Sequence, residues 1–294
     1  MNISEYKDSI KTIIYIILLT MVNFYLPIFS LAVMILWPVP VVYLVQKEKT
    51  GRVITVIAIA ALINGALFGP LMGLMTVIGF GLVGFIIGNA VKEGLSPKKT
   101  LIVSVVAVII SQTLIMLIAD QILGINLQSF IQNAVKSFSS DLDQASLEQM
   151  VNAQIGFISM ILPALLAVSS TITGIFNYYI SAWYLRRRGL NIEIYKKFNK
   201  WFMPRWPISA AVVVSLFLKN NPIFFNLNIY LFFLAFLQGF AVLMYFISAK
   251  TDSFLPKILA VFIILILPPI PMALILLGFI DMWFNLRKQN DQPG

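Results

Sequence analysis

The chain has 294 residues, of which 60% are hydrophobic and 11% charged. Soluble domains carry roughly 45–50% apolar and about 25% charged residues, so water cannot be the solvent for most of this chain. Its formal charge is +9, and the absence of cysteine and histidine excludes disulfides, thiolate chemistry, Cys/His zinc sites and histidine acid–base catalysis.

The apolar residues fall into runs divided by short charged clusters, and a helix needs about 20 residues to cross the hydrocarbon of a bilayer. Lys7 and Lys11 precede the first run, which continues past Tyr25 without a small-residue cleavage site. It therefore reads as a span and not as a signal peptide. The predicted spans are 10–26, 28–45, 53–69, 71–91, 100–120, 155–184, 207–219, 226–249 and the region 256–285. That last region carries Pro268, Pro269 and Pro271 in its middle and reads either as one kinked helix or as a hairpin of two short ones. A similar Pro38-Val-Pro40 interruption lies near the start. Broken helices in matching halves can mark a transporter's binding site; without a sequence repeat around them, kinks or turns are the simpler expectation.

Basic residues set the orientation. With the N-terminus inside and a C-terminal hairpin, every lysine and arginine except Lys136 and Lys219 lies on the cytoplasmic side. The expected fold is an all-α polytopic membrane bundle of nine to ten helices with a cytoplasmic N-terminus. Residues 1–190 form a six-helix membrane core with an external loop at 121–154. Residues 191–207 form a basic cytoplasmic amphipathic segment, and 208–294 the C-terminal membrane helices.

The external loop holds Asp141, Asp143 and Glu148, and Leu127, Phe130, Ile131, Ala134 and Phe138 recur at helical spacing. That pattern predicts an amphipathic helix lying on the outer surface. In segment 186–207, Tyr195, Phe198, Trp201 and Phe202 interleave with Lys196, Lys197 and Lys200. Beside a transmembrane helix this suits an anionic lipid surface or a cytoplasmic protein partner better than nucleic acid.

Within the membrane, Ala61, Gly65 and Gly69 form one small-residue row, and Gly81, Gly84 and Gly88 another. Such rows let helix backbones approach closely, and packing between the third and fourth spans is their expected role. Asn64, Gln112, Asn177 and Gln238 interrupt apolar runs. Each amide needs a partner in hydrocarbon, so the expectation is interhelical hydrogen bonding or a shared neutral polar pocket for a small polar solute. Charged residues approach the spans only near their ends, as Asp120 and Asp281. Asp281, Trp283 and Arg287 read as an interfacial Asp–Arg pair with an aromatic anchor. No nucleotide-binding loop, HExxH, GxSxG or paired catalytic carboxylates occur, so neither an enzyme nor a cofactor or metal site is expected.

The Pro38-Val-Pro40-Val-Val-Tyr-Leu stretch, the glycine-rich fourth span, Gln238-Gly239 and Gly278-x-x-Asp281-x-Trp283 with Arg287 resemble the YybS-like family of uncharacterised bacterial membrane proteins. The first six helices are also similar to the S components of energy-coupling-factor vitamin transporters and to MreD-type proteins. The resemblance implies a solute-binding multi-pass subunit in a bacterial cytoplasmic membrane. The chain departs from S components in lacking alanine between residues 12 and 26, where their AxxxA pattern lies. The functional expectation is thus small-solute binding or transport, with a membrane scaffold in envelope or cell-cycle processes as the alternative.

Overall fold

A computed structural model describes residues 6–123, 144–190, 192–218 and 221–288. The expected amphipathic helix at 127–138, Lys136, Lys219 and the acidic residues Asp141 and Asp143 lie outside them. Among the described residues all regular structure is helical. The helices are α1 (Lys7–Tyr25), α2 (Ser30–Leu36), α3 (Val39–Lys47), α4 (Thr50–Phe68), α5 (Pro70–Met75), α6 (Val83–Lys92), α7 (Pro97–Leu123) and α8 (Gln144–Arg187). They continue as α9 (Arg205–Phe217), α10 (Pro222–Lys250), α11 (Leu255–Ile266) and α12 (Pro269–Phe284).

Proline and glycine mark most of the boundaries. Pro70, Pro97, Pro222 and Pro269 each begin a helix, where the missing N–H is not needed and the fixed φ suits the first turn. The Pro38-Val-Pro40 element starts α3 and separates it from α2, so it makes a bend. Gly69 ends α4 at φ 96°, a conformation that only glycine adopts without strain. A π-helical turn, Thr76–Leu82, joins α5 to α6.

Among the described residues, seven helices or helix combinations are long and apolar enough to cross a membrane: Lys7–Tyr25, Pro27–Lys47, Thr50–Phe68, Pro70–Lys92, Pro97–Ile118, Ile155–Arg187 and Pro222–Lys250. This falls short of the nine or ten spans read from the sequence. Helix α9 has 13 residues and reaches only about 20 Å against a core of about 30 Å. Leu255–Ile264 and Pro269–Phe284 are bent by 108°. The two arms together make at most one broken span or a re-entrant loop, because each is too short to cross alone.

The distribution of side chains is inverted relative to a soluble protein. Ile28 is 87% exposed, Leu31 75% and Leu62 74%, while Asn64, Thr76, Ser104, Ser170, Ser215 and Asp281 are fully buried. Continuous apolar exteriors with polar groups turned inward match a lipid solvent.

The chain packs into two compact units. The first comprises Met1–Gly156 and Ser169–Tyr195, and the second Phe157–Val168 and Lys196–Gly294. In the first, Ile16, Val33, Trp37, Val41, Leu44, Val45, Val53 and Phe80 form the core. Gly84 and Gly88 face α3, since a Cβ would meet Val41 Cβ at 2.6 Å and Val45 Cβ at 2.7 Å. The sequence expectation had paired this row with the third span. Gly81 alone faces α4, through Ile57. The α3–α6 contact is fastened by Gln46 Nε2 donating to Gly88 O (2.7 Å) and by Lys92 Nζ donating to Val45 O (2.8 Å). Gly65 and Ala61 pack on Gly73 of α5. Gly69 stands apart from that row, with open space at its Cβ position.

In the second unit, Ile208, Leu231, Ala235 and Met282 form the core. Helices α10 and α12 cross with their backbones in contact. A Cβ on Gly239 would overlap Leu274 O, and one on Gly278 would overlap Ala235 O. Pro163 sits inside α8, where it removes a helix donor and crowds the preceding turn. The Asn226 side chain bridges this turn: its Oδ1 accepts from Ala164 N (2.8 Å) and its Nδ2 donates to Met160 O (2.7 Å). Both ends of the interrupted i→i−4 pair therefore keep partners.

Candidate functional site

The four intramembrane amides do not converge on one pocket. Asn64, on α4, donates from Nδ2 to Thr20 Oγ1 and Thr76 Oγ1, both at 2.8 Å, and so ties α1 and the π-helical turn to α4. Gln112 Oε1 on α7 accepts from Ser170 Oγ (2.8 Å) and Ser169 Oγ (3.2 Å) of α8. Asn177 turns its amide nitrogen onto Ile35 O (2.8 Å) and Met34 O (3.2 Å), two carbonyls at the end of α2. These three belong to the first unit and Gln238 to the second. Each amide is paired with its own neighbours, and none of the four lines the first unit's cavities of about 280 and 250 Å³.

Gln238 belongs to the most polar cluster of the second unit. It donates from Nε2 to Asp281 Oδ2 (2.6 Å) and accepts from Met203 N at Oε1 (3.0 Å). Arg287 Nη2 donates to the same Asp281 oxygen (2.8 Å) and to Trp201 O (2.6 Å), and Nη1 donates to Asn199 O (2.8 Å). Both charged side chains are fully buried. The expected Asp281–Arg287 pair is thus present, as an ion pair buried inside the protein. Trp283 stands apart from it, 46% exposed and edge-on to Trp206 with ring centroids 5.8 Å apart. Asn285 at φ 44° turns the chain after α12, which lets Arg287 reach back to a carboxylate six residues earlier. Charge neutralisation and three directional bonds to the chain hold the backbone of residues 199–203 against α10 and α12. Asp281 Oδ1 and Arg287 Nε remain buried without a hydrogen-bond partner.

The first unit holds a cavity of about 250 Å³ lined by charged and aromatic groups. Lys11 and Tyr15 come from α1, Tyr43 from α3, and Tyr184 and Arg188 from the end of α8, with Asp8 at the start of α1. Leu19, Leu36, Val39 and Pro40 supply apolar wall. Arg188 donates to Tyr184 Oη from Nε (3.1 Å) and Nη2 (2.9 Å). Its guanidinium lies 5.5 Å from the Tyr43 ring centre and 5.1 Å from that of Tyr184. The hydrogen bond to Tyr184 holds its pKa above the usual arginine value. Tyr43 and Tyr184 meet edge-to-face at 5.7 Å. The lining carries two cations, Lys11 and Arg188, against one carboxylate, Asp8, around a space close to ligand size.

Sequence reading missed this cavity because it is assembled from helix ends more than a hundred residues apart. The one signal available was tyrosine recurring beside basic residues at 15, 43 and 184. It also passed over Asn226 and Gly73, whose roles depend on which helix lies opposite.

No solved structure matches the chain. It is 20% identical over 296 aligned positions to the uncharacterized protein YybS of Bacillus subtilis (strain 168), covering 92% of this chain and 94% of that relative. The DUF2232 family model, described as a predicted membrane protein, matches residues 13–282, so the chain belongs to the DUF2232 family of membrane proteins.

Proposed function

We propose that this protein binds and translocates a small organic anion or zwitterion, without enzymatic activity of its own, in a bacterial cytoplasmic membrane. The carrying observation is the cavity lined by Lys11, Arg188, Tyr15, Tyr43, Tyr184 and Asp8. Lys11 and Arg188 would pair with a carboxylate or phosphate, Asp8 with an ammonium, and the tyrosine faces with a flat or apolar body. A volume of about 250 Å³ lies just below the usual range for small-molecule sites and favours a compact solute. With the N-terminus cytoplasmic, as the placement of lysine and arginine supports, this cavity opens at the cytoplasmic end.

The test is a screen of vitamins, nucleosides and amino acids for thermal stabilisation of the detergent-solubilised protein. A true ligand loses its stabilising shift in Arg188→Gln and Lys11→Gln, and keeps it in Asn177→Leu. Absence of any hit, or a shift indifferent to Arg188, overturns the reading.

The second reading is a scaffold. It draws on Lys196, Lys197 and Lys200, which are exposed on a segment whose backbone is pinned from within by Arg287. A rigid basic strip suits an acidic protein partner. Loss of a co-purifying protein when these lysines become glutamine, together with no ligand response, would favour this reading over transport.

A further inference from the structure

A second cavity of the first unit, about 280 Å³, has the opposite chemistry. Its wall is apolar, from Ile87, Val91, Leu95, Ala182 and Ile192, with the Tyr178 side chain beside them. The charged residue in its lining is Glu193, which is exposed. The neighbouring cation, Arg186, is engaged by Nε on Ile192 O (2.6 Å) and does not line the space. Ser181 also lines it, 1% exposed, and its Oγ has no hydrogen-bond partner. Two other polar groups of the lining are occupied: Thr100 Oγ1 donates to Ser96 O (3.2 Å) and Leu95 O (3.3 Å), and Tyr178 Oη accepts from Tyr195 N (2.9 Å). A buried hydroxyl left unmade is costly, and here it faces a space large enough for a ligand.

We infer that this cavity is a binding site for a small organic cation: an ammonium held by Glu193, an apolar body along the aliphatic wall, and a polar atom at the far end bonded to Ser181. The anion or zwitterion cavity uses none of these residues, so the two sites stand or fall separately. Charge-assisted bonds to carboxylates are the stronger class, and a ligand hydroxyl that reaches Ser181 adds selection, because a ligand without it leaves Ser181 unpaired. A free monoamine and the ethanolamine headgroup of a lipid share this ammonium.

The experiment titrates three probes into the full-length protein in detergent, followed by calorimetry: tyramine, phenethylamine (which lacks the hydroxyl) and 4-ethylphenol (which lacks the ammonium). Tyramine should bind tightest. Glu193→Gln should weaken tyramine and phenethylamine about tenfold or more and leave 4-ethylphenol unchanged, whereas Ser181→Ala should weaken tyramine and spare phenethylamine. Glu193 is exposed, so its variant leaves the fold intact. Repeating the tyramine titration in phosphatidylcholine and in phosphatidylethanolamine bilayers assigns the source. Competition in the second makes the headgroup the occupant, and equal affinity in both makes it a free amine; each supports the ammonium site. If none of the probes binds, or if amine affinity is indifferent to Glu193, the inference is overturned.

Discussion

The buried Asp281–Arg287 pair allows a sharp test of how the second unit is held together. Arg287→Met keeps the length of the side chain but strands a carboxylate that is fully buried and retains only the bond from Gln238. It also removes the donors serving the carbonyls of Asn199 and Trp201. Breaking one side of a buried pair costs about 3–5 kcal/mol, since the remaining charge is left uncompensated. Asp281→Asn, which strands the guanidinium, belongs to the same range. The double variant removes both charges and leaves chiefly the two unserved carbonyls, each worth about 1 kcal/mol, so its cost should be about 2 kcal/mol. The three values imply a coupling of roughly 4 kcal/mol or more between the two sites, far above the few tenths expected for independent positions. Equilibrium unfolding in a mixed-micelle denaturant series reads all three. Proteolysis within 196–203 reports release of that segment in the single variants. Additive costs in the double variant, or an undisturbed segment in Arg287→Met, would refute the view that the ion pair pins residues 199–203.

Two further outcomes test the helix contacts. Gly239→Ala should destabilise the second unit by about 1–3 kcal/mol or more, because its Cβ would overlap the Leu274 carbonyl; an unchanged unfolding midpoint would deny the close crossing of α10 and α12. Asn226→Leu should cost about 2 kcal/mol through the two bonds lost at the Pro163 turn, and Pro163→Ala in the same background should recover most of it, as measured by thermal unfolding in detergent.

The helices of this protein were legible in the sequence because the length of an apolar run and the charges that end it are local properties. The starts at Pro70, Pro97 and Pro222 lie close to where the sequence places them. The Asp281–Arg287 pair was legible for the same reason, being six residues apart across a single helix end. Its burial was not. That depends on Gln238 and residues 199–203 arriving from elsewhere in the chain, which no local pattern reports.

Composition and periodicity thus determined the solvent and the class: an all-helical chain in lipid, with small residues and amides turned inward. Tertiary structure decided which surfaces those residues meet. Gly84 and Gly88 face α3, and the four amides divide among separate partners. The two cavities draw on residues near helix ends, Tyr43, Tyr184 and Arg188 in one and Tyr178 and Glu193 in the other. The physical reason is that hydrocarbon forces every buried amide to satisfy itself within reach. The amides inside the bundle therefore become fastenings between its helices.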